Sequence, residues 1–163
     1  MSKYPIEKTW VEYDELWTGI STIQLSENQK INLASIWLHY LPGRDYSAAD
    51  VTAEKLIAGE NINRHKEIKI ILEKLKPQMD QADDIPLIIG GDFNSSSHKD
   101  WVAETADWHN GLVVEWPVSV EMQNAGFKDS FREIHPDLNY ASPSMTAERL
   151  SGRIDFIYYK GKN

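Results

Sequence analysis

Residues 87–94, LIIGGDFN, set three large apolar side chains directly ahead of two glycines, a carboxylate and an amide. A run this short and this apolar reads as a buried strand. Its polar residues then fall at the C-terminal end, where open α/β sheets place their ligand sites. Gly90 and Gly91 permit close backbone approach, and Asp92 and Asn94, two apart in extended chain, project to one side. One carboxylate with one amide suits a hard divalent cation, a water nucleophile and a phosphate oxygen held together. The same residues also suit a Gly-Asp turn whose side chains cap their own backbone.

The flanking segments predict the layers around this strand. Residues 18–25 (TGISTIQL) are rich in β-branched side chains and lead through SENQK into residues 31–38 (INLASIWL), a predicted hairpin. The second run is apolar at nearly every position, as in a strand covered on both faces, and His39 stands at its end. Ser47 and Asp50 are spaced as a capping box for a short helix that Gly59 would stop. Ile68, Ile71, Leu72 and Leu75 share one helical face, so residues 64–75 read as an amphipathic helix ended by Pro77. Ser97 with Asp100 would cap a helix through Ala106, and Pro117 would open another that closes before Gly126. Asp129 and Phe131 should pack and cap a turn, and residues 154–159 read as a last strand. There is no repeat or Gly/Ser linker, so residues 1–163 are read as one α/β layered domain. Six Trp, seven Tyr and four Phe in a 41% apolar chain are enough for its core.

A formal net charge of −8 disfavours duplex nucleic acid, because polyanion binders gain most of their non-specific affinity from Lys and Arg. A bound cation can override that locally. With zero Cys, any metal must take oxygen or imidazole ligands. No apolar run approaches the ~20 residues of a membrane helix, and no signal peptide is legible at the start; the compartment is not.

Several segments resemble, in order, the endonuclease/exonuclease/phosphatase family: WLHYLPG with His39, the helix begun by Arg64, GDFNSSSHKDW, GFKDSFREIHPD and GRIDFIYY. The resemblance implies a DNase I-like layered α/β sandwich and hydrolysis of a phosphate ester by an activated water, with Mg2+ as cofactor and Mn2+ its usual substitute. By the same resemblance, Asp92 orients or deprotonates the water close to the metal. Asn94 would contact the scissile phosphate and His39 would hydrogen-bond a phosphate oxygen. Asp155 matches the aspartate that in this family pairs with a histidine of a later Ser-Asp-His segment. Eight residues after Asp155 the sequence stops without that segment, and thirty-eight residues precede His39, too few for the strand carrying an early metal-binding glutamate. Glu7, Glu12 and Glu15 are therefore not assigned as ligands. A partial domain that binds metal weakly and turns over slowly is expected, with Asp155 orphaned on an apolar strand and self-association through uncovered edges. Arg153 is a structural alternative partner for Asp155, although neighbouring strand residues point to opposite faces.

Remaining candidates read as structural. His98 and Asp100 suit a cap or substrate rim; His65, His109 and His135 lack ligand spacing. The aromatics at 10, 17, 37, 101, 108, 116 and 140 suit core or edge positions, and Asp80, Asp83 and Asp84 a solvated loop. A small phosphodiester, sugar phosphate or lipid head group is favoured as substrate. A nuclease is the alternative within the enzyme class, and a non-catalytic relative binding a phosphorylated ligand or partner the alternative outside it.

Overall fold

A computed structural model of the chain describes residues 2–13, 18–40, 50–140 and 152–162. Its centre is a six-stranded sheet of β1 (Ile6–Tyr13), β2 (Thr18–Ser26), β3 (Gln29–Trp37), β4 (Leu87–Asp92), β5 (Lys128–Asp129) and β6 (Asp155–Lys160), in the order β1-β2-β3-β4-β6-β5. The predicted hairpin forms β2 and β3, paired antiparallel. β3 and β4 are parallel, which requires a crossover. That crossover carries α1 (Ala53–Ile62), α2 (Arg64–Lys74) and α3 (Lys76–Asp80), while α4 (Pro117–Asn124) and α5 (Ser130–Ile134) follow β4.

The core lies on one face of the sheet. Ile20, Ala34, Ile36, Leu87, Ile89, Phe156 and Tyr158 meet Ile68, Ile71, Leu72 and Leu75 of the second helical segment and Val118 and Met122 of α4. The period-2 and period-3.6 patterns thus converge on one interior. A smaller core packs Trp101 against Trp116, ring centroids 5.1 Å apart, with Val114. Burial alternates along β3, which corrects the expectation of cover on both faces. On the opposite face Leu33 is exposed, as are Trp37 at 50% and Ile157 at 58%.

Other expectations change for local reasons. The first helix is capped by Thr52, whose side chain accepts the Lys55 N–H, and it runs through Gly59; Ser47 lies outside the described residues. Next to Gly59, buried Glu60 pairs with Arg64 at 2.6 Å, joining α1 to α2. Pro77 opens α3 instead of ending α2, a position that tolerates its missing N–H. Ser97 caps only a tight turn, its hydroxyl accepting the Lys99 N–H. The helix after it is a 3-10 helix, Ala103–His109. Strands β1 and β5 were not anticipated: Glu7, Lys8 and Glu12 interrupt the strand-favouring residues of 6–13, and β5 is two residues long.

Candidate active site

The register gathers the sequence candidates at one end of the sheet. Trp37 at the end of β3 aligns with Asp92 at the end of parallel β4, and Asp92 pairs with Asp155 at the start of antiparallel β6. Opposed residues of adjacent strands project to the same face. His39 follows two residues after β3 and Asn94 two residues after β4.

Gly91 is required for this juxtaposition. It has φ 153, and a Cβ there would lie 1.9 Å from the Ile36 carbonyl oxygen, so only glycine lets β4 press against β3. Beyond it Phe93 plugs into the core, edge-on to Phe156 at 5.4 Å and to Tyr158 at 5.2 Å. Asn94 then adopts the left-handed conformation with φ 48, which Asn tolerates better than most residues. Asp92 Oδ1 accepts the Asn94 backbone N–H at 2.8 Å, and Asn94 Nδ2 donates to the Leu38 carbonyl at 2.9 Å. The Gly-Asp turn is therefore real, and it ties the two strand ends together. Asn94 is buried, at 2% exposed.

His39 is exposed. Its backbone N–H donates to Glu67 Oε2 at 2.9 Å, and its Nδ1 stands 3.4 Å from Glu67 Oε1. Arg64 Nη1 donates to the His39 carbonyl at 3.2 Å and to the Tyr40 carbonyl at 3.3 Å, while Ser95 Oγ donates to Glu60 at 2.8 Å. Glu60, Arg64 and Glu67 thus brace both site loops from the helices. None was singled out as a site residue in the sequence, although the Glu60-Arg64 spacing of i, i+4 was a usable signal.

Asp155 is exposed, which corrects its reading as a buried charge. Lost hydration and then the nearby Asp92 carboxylate push its pKa above the ordinary value. Arg153 is not its partner. Buried Arg153 binds Asp100 through Nε at 2.9 Å and Asp129 through Nη2 at 2.5 Å, and Arg132 Nε reaches Asp100 at 2.6 Å. Burial opposes the Arg153 charge, but Asp129 and Asp100 more than offset it, holding the pKa above the ordinary guanidinium value. Asp100 is thus a buried anchor, not a rim residue. Asp129 also caps α5, accepting the N–H groups of Phe131 and Arg132, as its position suggested.

His98 pairs with Ser119 Oγ at 2.8 Å and Gln123 at 3.2 Å, and burial chiefly lowers its pKa. Beside Asp92 and Asp155 opens a groove of about 540 Å³ whose walls include Phe131, Ile134, Phe156 and Ile157. Among the described residues, no group of three or more His, Cys, Asp or Glu converges as a metal cage.

No protein-family model matches the chain. It is 34% identical over 157 residues to the uncharacterised Caenorhabditis elegans protein F14F9.5, a match spanning 85% of this chain and 50% of that protein. Its fold is similar to the human Nocturnin catalytic domain with bound sulfate anion, with a TM-score of 0.57, 16% identity, and cover of 96% of this chain and 48% of that one. It is also similar to an AP endonuclease from Archaeoglobus fulgidus, with a TM-score of 0.56, 15% identity, and cover of 98% and 60%. The fold is DNase I-like α/β. The chain spans about half the length of the curated relative it matches.

Proposed function

We propose that this chain carries part of a metal-dependent phosphoesterase site, built where β3, β4 and β6 meet. The observation that carries the reading is the cross-strand Asp92-Asp155 pair at the end of the parallel strands, with His39 and Asn94 on the adjoining loops. Lost hydration and then the like charge of Asp92 raise the Asp155 pKa, and a divalent cation relieves the second of these. Asp92 retains an oxygen that no described residue bonds, and Mg2+ binds through one or two carboxylates while keeping several waters. The donor set fits Mg2+ or Mn2+, held weakly by Asp92 with support from Asp155.

When bound, the cation supplies Lewis-acid stabilisation of charge on a phosphoryl oxygen. Asp92 orients the attacking water and draws its proton, placed by its bond to the Asn94 backbone. His39, braced by Glu67, offers its imidazole to a phosphate oxygen. Asn94 holds the β3 and β4 ends in register through its bond to the Leu38 carbonyl, and contact with the phosphate would fall to the rest of its amide.

Acidic net charge favours a small phosphodiester, sugar phosphate or lipid head group over duplex nucleic acid. One similar fold belongs to an AP endonuclease, which keeps a nuclease as the second reading. Hydrolysis of bis(p-nitrophenyl) phosphate tests the assignment. Slow turnover that needs Mg2+ or Mn2+ and is lost in Asp92→Ala is expected. Turnover indifferent to metal, or surviving Asp92→Ala, overturns it.

A further inference from the structure

The groove beside Asp92 and Asp155 differs in chemistry from the carboxylate end. Phe131, Ile134, Phe156 and Ile157 give it carbon walls, and two of these are unusually open for aliphatic side chains, Ile134 at 73% and Ile157 at 58% exposed. Ser130 Oγ, on its wall, donates to the Ile157 carbonyl at 2.8 Å. Arg153, the cation of the lining, is closed off by Asp100 and Asp129. Its Nε, Nη1 and Nη2 all donate to those two carboxylates, and its planar guanidinium lies over Phe131 at 4.8 Å and Phe156 at 4.7 Å. Among the described lining residues, His135 apart, no side chain that can carry a positive charge is left to neutralise a second phosphate. A polyanion running along this groove would meet carbon walls and, at one end, two carboxylates.

We infer that the groove is a specificity pocket for the non-reacting ester group, and that this group is uncharged and apolar, an aryl or hydrocarbon substituent on the phosphate. The inference rests on the phosphoesterase reading for what lies at the carboxylate end, while the groove's own chemistry stands on its lining. Rings suit it well, since His135 packs on Phe131 at 4.9 Å and stacks on Tyr140 at 3.9 Å, extending an aromatic wall from the groove.

The experiment keeps p-nitrophenol as leaving group and varies the second ester group among methyl, phenyl, hexyl and 5′-thymidyl, with Mg2+ present. The phenyl and hexyl esters should exceed the methyl ester in kcat/KM by about tenfold or more, given about fourfold per buried methylene. Thymidyl should stay near methyl. Ile134→Asn and Ile157→Asn, at exposed positions that do not threaten folding, should shrink the phenyl advantage severalfold. In parallel, phenylphosphonate should shift the Ile134 and Ile157 methyl resonances, and methylphosphonate should not. Equal rates for methyl, phenyl and hexyl, a preference for thymidyl, or phenylphosphonate shifts elsewhere overturn the pocket assignment. No hydrolysis of any ester, with the phenylphosphonate shifts intact, overturns the phosphoesterase reading and retains the apolar pocket.

Discussion

Asp92 takes the turn-capping role that the sequence offered as one of two alternatives, accepting the Asn94 N–H, and it stands opposite Asp155 in the β4–β6 ladder. Asp155 loses hydration at this position and also faces the Asp92 charge. Its folded pKa is raised above the ordinary 3.8, so its ionised form destabilises the fold above the folded pKa. That cost disappears as pH falls through the raised value toward the unfolded one. Asp155→Asn should therefore be more stable than wild type at pH 7, by no more than about 1 kcal/mol for so exposed a group, and equal to it near pH ~3. Urea melts at the two pH values check the sign; a loss of stability at pH 7 would mean the pair is not repulsive. Arg153 behaves oppositely. Replacing it with Met strands Asp100 and Asp129 beside Arg132 alone, and should cost about 3–5 kcal/mol by the same melts. The positions of Asp92 and His39 at one end of the sheet were legible because each ends an apolar run. The Asp100-Arg153-Asp129 cluster was not, because its members come from three separate segments and no local spacing joins them.

At the scale of elements, strands with strong alternation and helices with a full apolar stripe were readable: β2, β3, β4, β6, α2 and α4 stand close to their expected places. What failed was local punctuation. Gly59 reads as a stop, yet α1 continues through it, and a Cβ there would meet nothing within 4 Å. Gly59→Ala should therefore stabilise the protein, by about 0.5–1 kcal/mol of helix propensity in thermal or urea unfolding. Gly91→Ala should do the reverse. Its Cβ would collide with the Ile36 carbonyl in a parallel ladder that cannot give way, so a loss above about 2 kcal/mol, or failure to fold, is expected. The contrast between these two glycines follows from tertiary contact, which no sequence window contains.

For the whole molecule, the six-stranded sheet packs α2 and α4 against one face and leaves Leu33, Trp37 and Ile157 exposed on the other. Exposed apolar sheet surface favours association. Light scattering should show mass rising with concentration, reduced in Leu33→Lys; a monomer at every concentration would contradict this. The site lies at the end of that sheet, and its assignment as a cation and phosphate site is most directly tested by paramagnetic broadening with Mn2+. The account predicts that low Mn2+ first broadens the amide resonances of Gly91, Asp92 and Asp155, and that Asp92→Ala removes the effect. Broadening that begins instead at the solvated acidic loop of Asp80, Asp83 and Asp84, or that survives Asp92→Ala, would contradict it.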